Sequence, residues 1–62
     1  MTRDQELWGV ALWLDRTHGD EGPAHIAQEV ARLAKAGDPA GVAMWRQVAE
    51  RYDQLRQTTS VN

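Results

Sequence analysis

Residues 36–41 read Ala36-Gly37-Asp38-Pro39-Ala40-Gly41, and this stretch decides the fold. Glycine ends a helix in the left-handed conformation without a Cβ clash. Aspartate accepts hydrogen bonds from the first free N–H groups of the helix that follows. Proline's fixed φ suits the first helical position. Gly37 is therefore a stop, Asp38 an N-cap and Pro39 a start. The same pair occurs upstream as Gly19-Asp20, where the joint is looser. Either Asp20 caps, with Pro23 in the first turn, or the helix begins at Gly22-Pro23. The joints divide the chain into helices near 3–18, 21–36 and 39–57, with a frayed tail over 58–62. Period-two alternation is absent, so no strand is expected. The expected fold is all-α, a single three-helix domain over residues 1–57. Short joints favour a compact up-down-up bundle; a splayed arrangement with one near-perpendicular joint is the alternative.

Hydrophobic spacing assigns a face to each helix. In the second, Ile26, Ala27, Val30, Leu33 and Ala34 share one side and Gln28, Arg32 and Lys35 the other, an ordinary amphipathic pattern. The third groups Met44, Trp45, Val48, Tyr52 and Leu55, with Ala49 beside them. It turns Arg46, Gln47, Glu50, Arg51 and Gln54 to water, and Arg46 and Glu50 are spaced for an i,i+4 pair. The first helix differs. Leu7, Val10, Ala11 and Leu14 form a core stripe, flanked by Trp13 on one side and Trp8 on the other, with Leu12 beyond Trp8. Apolar groups cover more of this helix than two neighbours can bury. It is either the central helix or part of an intermolecular contact.

Length sharpens that choice. By size scaling, a 7.0 kDa chain exposes about 10,000 Å² unfolded and about 4,000 Å² folded. Burying the apolar share contributes roughly 90 kcal/mol at about 25 cal/mol/Å². Ordering the chain costs nearly as much, at about 1.5 kcal/mol per residue. A 62-residue domain so balanced gains from a partner and has no room for a large internal cavity. There are no cysteines, so disulfides and thiolate sites are excluded and a reducing cytoplasm is expected. The polar start, Met1 to Glu6, carries no secretory signal. The longest nearly apolar run, Leu7 to Leu14, is far short of the roughly 20 residues of a bilayer span. A net charge of −2 gives no general attraction to nucleic acid. Nine alanines suit close helix packing, and with no phenylalanine the three tryptophans carry most of the bulk.

An ordered set of residues runs through this frame: Leu7-Trp8, Ala11-Leu12, His18-Gly19-Asp20, Pro23, Ile26-Ala27, Leu33-Ala34, Gly37-Asp38, Ala40-Gly41, Trp45, Ala49 and Arg51-Tyr52-Asp53-Gln54-Leu55. In it the chain resembles a family of very short bacterial proteins of unknown function, over about residues 1–56. The resemblance implies a natural, complete, standalone bacterial protein of the cytoplasm. It brings no activity, cofactor or catalytic residue.

Candidate chemistry is sparse. Glu21, His25 and Glu29 fall at i, i+4 and i+8 on one side of the second helix, as a metal or proton relay requires. They lie on its polar side, where nothing supplies the further ligands and supporting shell of a metal site. The stripe reads as a solvated face with His25 against a glutamate. His18, at the end of the first helix, suits a capping or packing role. The only serine, Ser60, lies in the tail, and no glycine-rich phosphate loop follows a strand. No catalytic residue, metal ligand or cofactor site is therefore assigned, and no enzyme is expected. Arg46, Arg51 and Arg56 point in different directions and are interleaved with Glu50 and Asp53. The third helix opens Pro39-Ala40-Gly41-Val42-Ala43, without a base-reading group. Trp45 is expected in the core. Trp8 and Trp13 are too far apart around their helix for both to face inward, and exposed aromatics on a rigid helix are common interface anchors. The function expected is a non-catalytic protein–protein interaction module, an adaptor or regulator. It would act through the first helix by Trp8 and Leu12, then Trp13, on another protein or a second copy. A small nucleic-acid-binding regulator is the alternative.

Overall fold

A computed structural model describes residues 2–60. Three helices follow one another: α1 (Arg3–Thr17), α2 (Gly22–Lys35) and α3 (Pro39–Ser60), with a 3-10 turn, Gly19–Glu21, between the first two. The boundaries match the expected ones within a residue or two, except that α3 continues through Ser60, past the expected start of the tail. Val61 and Asn62, also assigned to that tail, lie outside the described residues.

The caps explain the boundaries. Thr2 opens α1 with a reciprocal box: its hydroxyl accepts from the Gln5 N–H at 3.2 Å, and the Gln5 side chain accepts from the Thr2 N–H at 3.0 Å. At the second joint Gly37 takes φ +72°. The Asp38 N–H then reaches back to the Leu33 carbonyl at 2.9 Å, and the Gly37 N–H to that of Ala34 at 3.2 Å. These two bonds satisfy carbonyls that a helix end would leave open. The Asp38 carboxylate accepts from the Gly41 N–H at 3.0 Å, the N-cap role expected of it. The first joint takes the second of its two expected forms. Gly19 has φ +53°, but Asp20 sits inside the 3-10 turn and Glu21 precedes α2 without a side-chain cap.

Leu7, Ala11 and Leu14 of α1, Ile26 of α2, and Val48 and Tyr52 of α3 make the buried core, with Val10, Val30, Met44, Trp45 and Ala49 packed around it. Both other helices pack along α3, so the central helix is α3 and not α1. Asp4 and Asp15 of α1 reach Arg51 and Arg56 of α3 in that order, so α1 and α3 run in the same sense. Gly22 meets Tyr52, and Leu33 approaches Gly41, so α2 runs against them. This is the up-down-up order.

One helix is rolled from its expected orientation. On α2, Gly22 and Ile26 are buried and His25, Glu29, Val30 and Leu33 half-buried, while Ala27 and Ala34 are exposed. The inward stripe has moved toward the His25–Glu29 side. The cause is Gly22, the one position on α2 without a Cβ. A Cβ there would stand 2.4 Å from the Tyr52 ring, so its absence lets α2 lie directly on that ring.

Candidate functional site

With α3 at the centre, α1 has one face on the core and the other in water. Its buried positions, Leu7, Ala11 and Leu14, leave Gln5, Glu6, Gly9, Leu12, Trp13 and Arg16 on the opposite side, all exposed. Leu12 and Trp13 are the exposed large hydrophobics of the described residues, at 45% and 48% of their full surface. Both lie one turn beyond Gly9, where a Cβ would meet no atom of the described residues within 4 Å. The absence of a side chain there leaves the surface before the apolar pair open. On its Trp13 side an open groove of about 550 Å³ runs past Glu6, Gly9 and Val10 to Met44 of α3.

The three residues named from the sequence are thereby reordered. Leu12 and Trp13 are the exposed ones. Trp8 is half-buried, with the Arg51 guanidinium over its ring at 5.9 Å. Arg51 also donates to Asp4 Oδ1 at 2.9 and 3.1 Å. The expectation that Arg51 faces water is corrected: the aspartate one turn before Trp8 draws it across the indole. Arg56 is likewise engaged, donating to Asp15 at 2.8 Å and to Asp20. The Asp15 carboxylate raises the Arg56 guanidinium further above its ordinary range. Two of the three arginines of α3 are thus held by carboxylates of α1 and the first joint, and Arg46 remains exposed.

Behind Trp13 lies a group of rings that the sequence reading did not assemble. His18, at the C-cap of α1, stacks on His25 of α2 with centroids 4.3 Å apart and planes 17° apart. Trp13 meets both edge-on, at 5.4 and 5.9 Å, and Trp45 meets His25 edge-on at 5.8 Å. This corrects the reading of Glu21, His25 and Glu29 as a solvated stripe. Glu21 is exposed, His25 is turned into the rings, and Glu29 pairs with Arg32 at 2.9 Å. The Arg32 guanidinium holds the Glu29 carboxyl below its ordinary range. Near-parallel imidazoles direct their in-plane nitrogen lone pairs side by side, so the stacked pair does not converge on one ion as chelating ligands do. No group of three metal-ligating side chains comes together among the described residues. What the cluster does is pack one edge of Trp13 against the joint, which fixes the indole while the rest of it remains in water. The Thr17 hydroxyl, donating to the Trp13 carbonyl at 2.7 Å, tightens the same last turn.

No helix of the described residues is long and apolar enough to cross a membrane. Residues 3–60 match the model of a family of unknown function, DUF6961. No curated protein and no solved structure matches the chain.

Proposed function

The chain belongs to that family of unknown function, and on this premise we propose that it is a non-catalytic protein–protein interaction module, an adaptor or regulator that binds through the outward face of α1. One observation carries the reading: Leu12 and Trp13, each about half exposed, stand side by side on a helix whose opposite face is already committed to the core. Rigid exposed aromatics lose little entropy on binding, and they anchor interfaces more often than their surface share. Trp13 is held from behind by His18 and His25, so its orientation is set before any partner arrives. The lack of cysteine suits a reducing cytoplasm, where we place it.

The ion pairs of α3 weigh against the nucleic-acid alternative. Phosphate binding needs cations that are not already neutralised, and Arg51 and Arg56 are held by Asp4, Asp15 and Asp20. The test is a binding comparison on the intact chain. A partner retained by the wild type should be lost with Leu12→Ser, while Arg46→Gln retains it. Retention by the Leu12→Ser chain, or a salt-dependent shift of duplex DNA that Arg46→Gln abolishes, would overturn the reading.

A further inference from the structure

The outward face of α1 has an order along its length that selects a particular occupant. From its N-terminal to its C-terminal end it presents an anion, Glu6; a notch, Gly9; an apolar pair, Leu12 and Trp13; and a cation, Arg16. Among the described residues neither Glu6 nor Arg16 makes an ion pair within the chain. Both are therefore available, and their signs are opposite. Glu6 and Arg16 stand at equal distances from position 11, about 7.5 Å at about 1.5 Å of rise per residue. Gly9 and Trp13 are also equidistant from that position.

We propose that this face binds a second copy of the same chain, the two α1 helices lying antiparallel about a two-fold axis level with residue 11. The inference rests on the interaction reading above and names its partner. A two-fold interface must be self-complementary, so that residue i of one copy meets residue j of the other and the reverse. The antiparallel arrangement meets that requirement twice over. It sets Glu6 level with Arg16 of the second copy, at both ends of the contact. It also sets Gly9 level with Trp13 of the second copy, so the largest side chain of the face enters the place where there is none. Absence of a side chain at Gly9 lets the helix axes approach closely, and the groove beside it, floored by Val10 and Met44, receives the indole. Leu12 lies next to the axis and covers the centre. A parallel pairing would set Glu6 against Glu6, Arg16 against Arg16 and indole against indole, which charge and bulk both oppose. Gly9 also gains a reason. A glycine in the middle of an exposed helical face weakens the helix, and among the described residues nothing comes near enough to require it.

The test is sedimentation equilibrium of the full chain across protein concentration, with circular dichroism of each variant. Wild type is expected to pass from monomer to dimer as concentration rises. Glu6→Arg and Arg16→Glu should each weaken the dimer by about tenfold or more, because each sets like charges together at both ends, and the double exchange should restore it. Gly9→Leu should abolish the dimer while leaving the monomer folded and at least as helical, since the open space at Gly9 admits the side chain within one copy but not between two. A wild type that remains monomeric at the highest concentration, or a dimer indifferent to Gly9→Leu, would overturn the proposal. If the chain stays monomeric yet binds a different protein in a manner lost with Leu12→Ser, self-pairing fails while the interaction reading stands. If it is monomeric and Leu12→Ser changes no binding, both fail.

Discussion

Gly22 and Tyr52 set how closely two helices approach. The glycine is buried against the ring, and the tyrosine hydroxyl donates to the Gly19 carbonyl, so one side chain both fills the space over α2 and ties down the joint before it. Gly22→Ala should destabilise the fold by about 1–3 kcal/mol, the cost of forcing a buried ring to move. Tyr52→Phe should cost about 1 kcal/mol by losing the hydrogen bond alone. Urea unfolding of the two variants separates these effects. Leu12→Ser belongs at the other extreme. At dilutions where the chain is monomeric, an exposed side chain outside the core should change stability by no more than about 0.5 kcal/mol, and the same unfolding curves check it. Spacing within one helix showed that Tyr52 faces inward. It did not show that Gly22, far away along the chain, is what the ring meets, because contact between helices depends on their crossing and not on the period of either.

The helix ends were legible because their signals are local. Gly37 takes the left-handed conformation and Asp38 caps, as the residue types dictate. Asp38→Ala should cost about 1 kcal/mol, measurable by thermal or urea unfolding. The Thr2–Gln5 box has an equally local signal, the spacing Thr-x-x-Gln. The rotation of α2 was not readable. Ala27 and Ala34 are apolar enough to count toward a core stripe but too small to enforce one, so the ring of Tyr52 and the stacked histidines decide which side turns inward. That rotation leaves Glu29 half-buried beside Arg32. The carboxyl is held below its ordinary range, so in a window of pH the folded chain keeps it ionised where the unfolded chain binds a proton. Its contribution is complete above the ordinary carboxyl value of the unfolded chain and is lost as pH falls through the lower folded value. Wild type should therefore exceed Glu29→Gln in stability at neutral pH, with the gap closing in acid. Unfolding curves across that range give the sign directly.

For the molecule as a whole, three short helices bury one small core, and α3 serves as the shared support. The excess of apolar groups on α1 was visible in the sequence, and so were the three residues able to carry it. Which of them remain in water was not. Trp8 and Trp13 flank the same core stripe, and the difference between them comes from Arg51, held by Asp4 and laid over only one. The order of Glu6, Gly9, Leu12, Trp13 and Arg16 became meaningful only once these residues proved to share the exposed side of α1. A domain whose burial barely offsets its ordering cost should be stabilised by any contact that only the folded state makes. The most direct measurement is the melting temperature of wild type and Gly9→Leu over a hundredfold range of protein concentration. The account predicts a wild-type melting temperature that climbs with concentration and a Gly9→Leu value that does not. A wild-type value that stays constant over the whole range would contradict it.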